Sequence, residues 1–151
     1  MTNKIVLNNI NDLVTYNDNT ILKNILALNE MTSKRNLYLQ EKDIVQIIET
    51  KNISLKELGR VEVKNNILER IIYEFYDSPY IDQTNYLETI LDLTRIFYLY
   101  QNELNYKLTA EEIIIYLQDE FNNNCGGDLT LLETLSLSNL KEALERKRDY
   151  E

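Results

Sequence analysis

Apolar side chains recur at every third and fourth position along most of this chain, and very few helix-breaking residues interrupt them. The 151 residues include one proline and three glycines. A step of three to four residues is the period of an amphipathic α-helix, whereas a half-buried strand alternates at every second residue. The sequence therefore predicts an all-α fold. A chain of this length has the usual size of one domain, so a single helical domain over residues 1–151 is expected.

The apolar pattern divides into about six helices forming a bundle. The polar run 32–36 separates the first two helices. A third helix is predicted over 61–77 and should stop before Pro79, because proline disfavours helical geometry in the residue that precedes it. Residues 1–19 and 147–151 are expected to be extended or mobile.

The segment near 84–104 is predicted to be a central, buried helix. Apolar residues occupy most of its circumference and leave a narrow polar stripe through Glu88, Asp92 and Arg95. A helix that is apolar nearly all round is one that other helices surround.

Several residues mark the expected helix ends. A serine or threonine followed three positions later by glutamate has the spacing of a capping box, which starts a helix. The chain has three such pairs, Ser54 with Glu57, Thr109 with Glu112, and Thr130 with Glu133. The stretch FNNNCGGDLT at 121–130 contains two of the three glycines. Because glycine commonly closes a helix in the left-handed conformation, this stretch is interpreted as a helix end, a two-glycine turn and the next helix start.

A weak internal similarity indicates two duplicated helical hairpins. Segment 21–28 resembles segment 86–93, and the residues around Asp43 resemble those around Glu112, so the offset grows from 65 to 69 (86 − 21 and 112 − 43). Chance matching is the alternative, because leucine-rich helices resemble one another.

The chain contains no histidine. This absence excludes Ser-His and Cys-His nucleophilic pairs, imidazole metal sites and ferritin-type Glu-x-x-His di-iron sites. The adjacent glycines also lack the Gly-Lys-Ser/Thr sequence of a phosphate-binding loop. No catalytic, cofactor-binding or metal-binding residue is therefore assigned, and no cofactor is expected.

Paired carboxylates leave one enzymatic alternative. Some all-helical nucleotide pyrophosphatases hold magnesium with two Glu-x-x-Glu/Asp pairs on facing helices, because this spacing places two carboxylates one turn apart on the same face. Glu74 with Asp77 and Glu142 with Glu145 have the spacing. The first pair ends its helix and the second lies in the charged tail. A carboxylate- and magnesium-dependent nucleotide hydrolase is therefore the runner-up function.

The charge balance and the apolar segments limit the partners and the location. With 25 acidic and 16 basic residues the net charge is -9, which repels phosphate backbones, so nucleic acid is not an expected partner. The N-terminus lacks the apolar segment of a signal peptide, and no apolar run approaches the ~20 residues of a membrane span. A lone cysteine cannot form an internal disulfide. These features predict a soluble cytoplasmic protein with no membrane partner.

Eleven tyrosines without a tryptophan point to core edges or to an interface. Tyrosine suits positions where the ring is covered and the hydroxyl stays wet. Because the sequence offers no reactive constellation, we interpret the chain as a non-enzymatic protein–protein interaction or regulatory module. It is expected to bind a protein partner or a second copy of itself. An acidic protein that binds a nucleic-acid-binding protein is a further alternative.

Three segments resemble the signature segments of an uncharacterised family of small helical proteins from low-GC Gram-positive bacteria. They are LGRVEV at 58–63, SPYIDQTNY at 78–86 and FNNNCGGDL at 121–129. The resemblance covers about residues 37–135 and implies a cytoplasmic bacterial protein without implying an activity.

Four residues in these segments are candidates for a shared role or an interface. Arg60 and Glu62 lie beside the first glycine, and Tyr80 and Cys125 lie in two turns that contain helix breakers. Each has a structural alternative: a charge pair for Arg60 and Glu62, a chain turn for Tyr80, and a structural or partly exposed thiol for Cys125. The thiol interpretation is favoured because neighbouring acidic residues raise the cost of a thiolate.

Overall fold

The fold is that of a computed structural model, which describes the backbone of residues 16–62 and 66–149 and the side chains of 17–62 and 66–147. These residues form seven α-helices and no β-strand. The helices are α1 (Tyr16–Thr32), α2 (Glu41–Glu57), α3 (Ile67–Phe75), α4 (Tyr86–Glu103), α5 (Ala110–Asn123), α6 (Leu129–Glu133) and α7 (Leu135–Asp149). A short 3-10 helix, Ser33–Arg35, follows α1. The all-α prediction is confirmed, with six helices of nine or more residues and the five-residue α6 in addition.

Helix α4 lies at the centre, as predicted. It contacts α2, α3, α5 and α6. Residues on several sides of the helix are fully buried, among them Ile90, Leu93, Ile96, Phe97 and Tyr100. The predicted polar stripe does reach the surface, where Arg95 pairs with Glu133 of α6. A helix with this composition can stay folded only when several neighbours cover it.

Some predicted boundaries differ from the structure. Helix α3 begins at Ile67, so residues 61 and 62 are not helical, and 63–65 lie outside the described residues. It ends at Phe75, ahead of Pro79 as predicted. Helix α1 begins at Tyr16, so residues 16–19 are helical rather than extended, and α7 likewise continues through residues 147–149. The remainder of both predicted terminal segments, 1–15 and 150–151, lies outside the described residues.

One of the three predicted capping boxes is confirmed and two are wrong. Thr109 Oγ1 accepts from the Glu112 N–H at 3.1 Å, and a Glu112 carboxylate oxygen accepts from the Thr109 N–H at 2.8 Å. Ser54 instead lies inside α2, whose packing against α1 and α4 carries the helix past this residue. Helix α6 is capped by Asp128, not Thr130, since Oδ1 of Asp128 accepts from the N–H groups of residues 130 and 131. Aspartate is the stronger cap and comes first in the chain.

The loops that end α1 and α4 share one hydrogen-bond pattern. Asn36 and Asn105, which are 69 positions apart (105 − 36), both adopt the left-handed conformation, with φ of 63° and 52°. The next residue in each loop closes back on the last turn, with Leu37 N–H donating to the Thr32 carbonyl and Tyr106 N–H to the Gln101 carbonyl. This offset is the one that the sequence similarity requires. It supports the duplication of the α1–α2 and α4–α5 hairpins, which stays a prediction until the two hairpins are superposed.

No helix in 16–62 or 66–149 combines the length and the apolar character that crossing a bilayer requires.

Candidate functional site

The four predicted site residues occupy two separate places. Arg60 and Glu62 lie on the loop after α2 and contact α4 and the loop that follows it. Tyr80 and Cys125 belong to turns that flank the C-terminal end of α5. Each pair has its own contacts, so the four residues belong to two separate sites.

The first site is the loop after α2, which is held in place by the side chains of Glu62 and Arg60. The Tyr98 hydroxyl lies 2.8 Å from each carboxylate oxygen of Glu62. Burial raises the pKa of Tyr98, and the negative charge of Glu62 raises this pKa further. The phenol therefore stays protonated and donates to the carboxylate, which anchors the loop to α4.

Arg60 anchors the same loop by its guanidinium. The guanidinium carbon lies 4.7 Å from the centroid of the Tyr106 ring, and Nη2 donates to Asn102 Oδ1 at 3.4 Å. Between the two anchored side chains, Val61 is 94% exposed. The loop thus holds the apolar side chain of Val61 in solvent, while Arg60 and Glu62 on either side of it are engaged in structural contacts.

Tyr80 packs against the two-glycine turn. Gly127 has a φ of +82°, and a Cβ added there would lie 2.7 Å from the Cβ and Cγ atoms of Tyr80. The Tyr80 ring also meets Phe121 edge-on, with the ring centroids 6.1 Å apart. Tyr80 therefore packs the α3–α4 turn against the C-terminal end of α5.

The second site is a pocket of about 150 Å³ between the C-terminal end of α5 and the α6–α7 segment. We call it the α5–α7 pocket. It is lined by Tyr116, Glu120, Asn124, Cys125, Leu131, Leu135, Ser136 and Asn139.

A chain of hydrogen bonds forms one wall of the α5–α7 pocket. Ser136 Oγ donates to Glu120 Oε1 at 2.8 Å and lies 3.3 Å from Cys125 Sγ. A hydroxyl carries one hydrogen, and Ser136 uses it in the hydrogen bond to Glu120. The thiol of Cys125 must therefore be the donor in its contact with Ser136 Oγ. Cys125 is free and buried. This arrangement does not prepare a nucleophile.

Glu120 is the charged group of the α5–α7 pocket. Its second carboxylate oxygen accepts from Asn124 Nδ2 at 2.6 Å. Among the described residues, no lysine or arginine lies within 4.0 Å of its carboxylate. Burial and the negative charge of Glu120 raise the pKa of Tyr116 to about 12. Glu120 is therefore held by neutral donors and keeps an uncompensated charge at the surface.

Two leucines form the rim of the α5–α7 pocket. Leu131 is 39% exposed and Leu135 is 56% exposed. Both line the pocket that Glu120 lines, so they present exposed apolar surface beside its carboxylate, and the two leucines are called the apolar patch. The patch and the pocket together are called the α5–α7 face.

The carboxylate pairs of the runner-up function do not assemble a metal site. Glu74 accepts from Arg70, and Glu142 pairs with Arg146 within α7. Over the described part of the chain, no group of three or more Asp, Glu or Cys side chains is arranged to hold a metal ion. One carboxylate of each pair is thus the partner of an arginine.

Sequence reasoning missed the features of the α5–α7 face other than Cys125. Glu120 and Ser136 meet only because α7 returns against α5, which no local pattern reports. One signal was present, however. The segment 129–144 carries leucines at 129, 131, 132, 135, 137, 140 and 144, which is more than a single stripe of a helix can bury.

Over its described residues, the fold and this site define a small all-helical protein with a leucine-rimmed acidic pocket. The chain belongs to a family of unknown function, DUF6323, whose model matches residues 24–150. Membership of an uncharacterised family is thus confirmed, over a longer stretch than the resemblance covered. No curated protein and no solved structure matches the chain.

Proposed function

We propose that this protein is a non-enzymatic protein–protein interaction or regulatory module that binds its partner through the α5–α7 face. The observation that carries the proposal is the pair of exposed leucines, Leu131 and Leu135, on the rim of a pocket whose carboxylate has no cationic neighbour in the described part of the chain. Single exposed apolar residues are normal on protein surfaces. An apolar patch beside a pocket, rimmed by polar groups, is typical of a binding surface.

The chemistry of the same face supports binding rather than catalysis. The thiol of Cys125 donates a hydrogen bond to Ser136 Oγ, and the Ser136 hydroxyl donates one to the Glu120 carboxylate. A serine activated as a nucleophile needs a base that can accept its proton near neutral pH, and the usual base, histidine, does not occur in the sequence. The polar groups of the pocket are therefore suited to hydrogen-bond a ligand that carries the opposite charge.

The cellular setting is part of the proposal. We place the protein in the cytoplasm of a low-GC Gram-positive bacterium. The support is the acidic composition, the single cysteine and the asparagine- and isoleucine-rich sequence that AT-rich genomes favour. The partner is another protein or a second copy of the chain.

A matched pair of variants tests the proposed surface. Leu135 and Ile53, which lies on α2, are both 56% exposed, so Leu135→Asp and Ile53→Asp add the same charge at equal exposure. In fresh extract of cells that naturally make the protein, we expect the wild-type chain to migrate in a complex larger than its 17.9 kDa monomer. Leu135→Asp should shift it to the monomer position, and Ile53→Asp should leave the complex intact. Light scattering of the purified protein then distinguishes a second copy from a different partner.

Two results would contradict the proposal. The first is a wild-type chain that migrates as a free monomer in fresh extract. The second is a complex that responds equally to the two aspartate substitutions, because the face would then carry no particular role.

A further inference from the structure

We infer that the α5–α7 pocket binds an arginine side chain of the partner protein. The inference rests on the proposed function, since it names the chemistry that the α5–α7 face recognises. It follows from the charge, the size and the hydrogen-bond acceptors of the pocket.

The charge of this region selects a cation. Residues 108–140 include six acidic side chains and no lysine or arginine. Two of the six, Glu111 and Glu133, are neutralised by Arg70 and Arg95 from other helices. Glu120 is the acidic residue that lines the pocket, and it has no such neighbour among the described residues. A positive group supplied by the partner completes the pairing that the chain already makes at Glu111 and Glu133.

The size and walls of the pocket fit one long side chain. A volume of about 150 Å³ is enough for a group the size of benzene, which exceeds a guanidinium. Leu131 and Leu135 lie where the aliphatic stem of the entering residue would pass. Arginine buries such a stem on apolar surface while its head reaches a polar group.

The acceptors favour arginine over lysine. Both oxygens of Glu120 retain a lone pair after accepting from Ser136 and Asn124. Tyr116 lines the same pocket, and its hydroxyl donates a hydrogen bond to the Ser136 carbonyl, so the hydroxyl oxygen keeps lone pairs that can accept. Three acceptors match the planar, multi-donor guanidinium, which is also easier to strip of water than an ammonium.

A random peptide library provides a probe that needs no knowledge of the natural partner. The full-length protein is immobilised, and displayed peptides are selected for binding. We expect the selected peptides to share an arginine. Exchange of this arginine for citrulline, its neutral isostere, should weaken binding about tenfold or more, and exchange for lysine should weaken it several-fold.

Variants of the protein locate the arginine. Glu120→Gln keeps an acceptor for Ser136 and should weaken the selected peptides about tenfold or more, without a further loss when citrulline replaces the arginine. A thermal melt shows whether this variant folds. Leu135→Arg is the second variant, because an exposed residue leaves the core untouched and adds a repelling charge at the rim. Ile53→Arg, at equal exposure, should bind as the wild type does.

Several outcomes would overturn the inference. Selected peptides that bind Glu120→Gln as tightly as the wild type, that tolerate citrulline, or that prefer lysine would each do so. Peptides that lose affinity with Leu135→Arg and carry no shared arginine would overturn the inference and leave the proposed function standing. A selection that yields no Leu135-dependent peptide counts against the arginine pocket, whereas the native complex in cell extract decides the proposed function separately.

Discussion

At the scale of single residues, buried tyrosines fix the functional segments to the core. Tyr98 holds Glu62 of the exposed loop, and the hydroxyl of Tyr100 donates to the Leu132 carbonyl in α6. Burial raises the pKa of both phenols, so both remain donors over the whole range in which the protein is expected to work. These two buried tyrosines thus connect the core to polar partners in other segments of the chain.

Removal of the Tyr98 hydroxyl should release the loop. A hydrogen bond to a charged acceptor contributes about 1.5–3 kcal/mol, and Glu62 is half-buried, so water replaces part of the loss when the donor is gone. We expect Tyr98→Phe to lower the free energy of unfolding by about 1–2 kcal/mol in urea titrations. Tyr73→Phe, at an exposed tyrosine on α3, is the control and should leave it unchanged. Equal stability of the two variants would mean that the Tyr98–Glu62 contact contributes nothing.

The two adjacent glycines should respond differently to alanine. Gly126 and Gly127 both have positive φ, so alanine is strained at either position. A Cβ at Gly126 meets nothing within 4 Å, whereas one at Gly127 overlaps the root of the Tyr80 side chain at 2.7 Å. Urea unfolding should therefore show a loss of about 1 kcal/mol for Gly126→Ala and clearly more for Gly127→Ala.

The double variant Gly127→Ala with Tyr80→Gly is the control for this difference. It removes the Tyr80 atoms that would clash with the new Cβ. Measured against Tyr80→Gly alone, Gly127→Ala should then lower the free energy of unfolding by no more than Gly126→Ala does in the wild type. If the two alanine variants are equally stable, Tyr80 does not pack on the turn as described.

At the scale of helices, a capping motif predicted the start of a helix correctly only when no better capping residue or tertiary packing overrode it. Thr109 stands alone before α5 and caps it. Thr130 competes with Asp128, two residues earlier, and loses to the better cap. Ser54 has the right spacing, but tertiary packing carries α2 through it. The outcome of a capping motif therefore depends on residues outside its four positions.

The cap of α6 gives a direct test of this reading. Asp128→Ala removes the acceptor of two N–H groups and should lower the unfolding free energy by about 1 kcal/mol. Thr130→Ala should change it by less than about 0.5 kcal/mol, because the Thr130 side chain does not cap the helix. Chemical denaturation of both variants measures the difference. A larger loss at Thr130 than at Asp128 would restore the cap that the sequence motif predicted.

The ion pair between α4 and α6 should depend on pH. Arg95 forms two hydrogen bonds of 2.9 Å to the Glu133 carboxylate. This hydrogen bonding lowers the pKa of Glu133 from its ordinary value of 4.5. A lowered pKa in the folded state means that the stabilisation is fully present above the unfolded pKa and is lost as the pH falls through the folded pKa.

A double-mutant cycle with Arg95→Gln and Glu133→Gln isolates this contribution. Because both side chains are partly exposed, the coupling free energy should be about 0.5–1 kcal/mol near neutral pH. It should decline once the pH falls below 4.5. A coupling that is constant across the acid range would show that the charge of Glu133 is not involved.

At the scale of the whole molecule, the centre of the fold was predictable and its surface pairings were not. The apolar circumference of α4 predicted a helix surrounded by others, because a helix buried on all sides has apolar residues around its whole circumference, within one continuous segment of sequence. The contacts that build the two sites join residues far apart in sequence, such as Glu62 with Tyr98 and Glu120 with Ser136. They depend on how helices return against one another, which local periodicity does not encode.

The candidate site was predicted in part for the same reason. Cys125 was selected as an unusual residue in an unusual turn, and it does line the α5–α7 pocket. Tyr80 supports the adjacent turn, whereas Arg60 and Glu62 belong to a separate loop. The residues that give the pocket its character, Glu120 and Leu135, look like ordinary helix-surface residues until α7 is placed beside α5.

Site-specific photo-cross-linking in cells that naturally make the protein tests most directly whether the α5–α7 face is a binding surface. A photoreactive phenylalanine analogue is placed at position 135 in one strain and at position 53, with equal exposure in the native chain, in another. Irradiation should give one discrete protein adduct from position 135 and none from position 53. Equal adducts from both positions, or no adduct from position 135, would contradict the account.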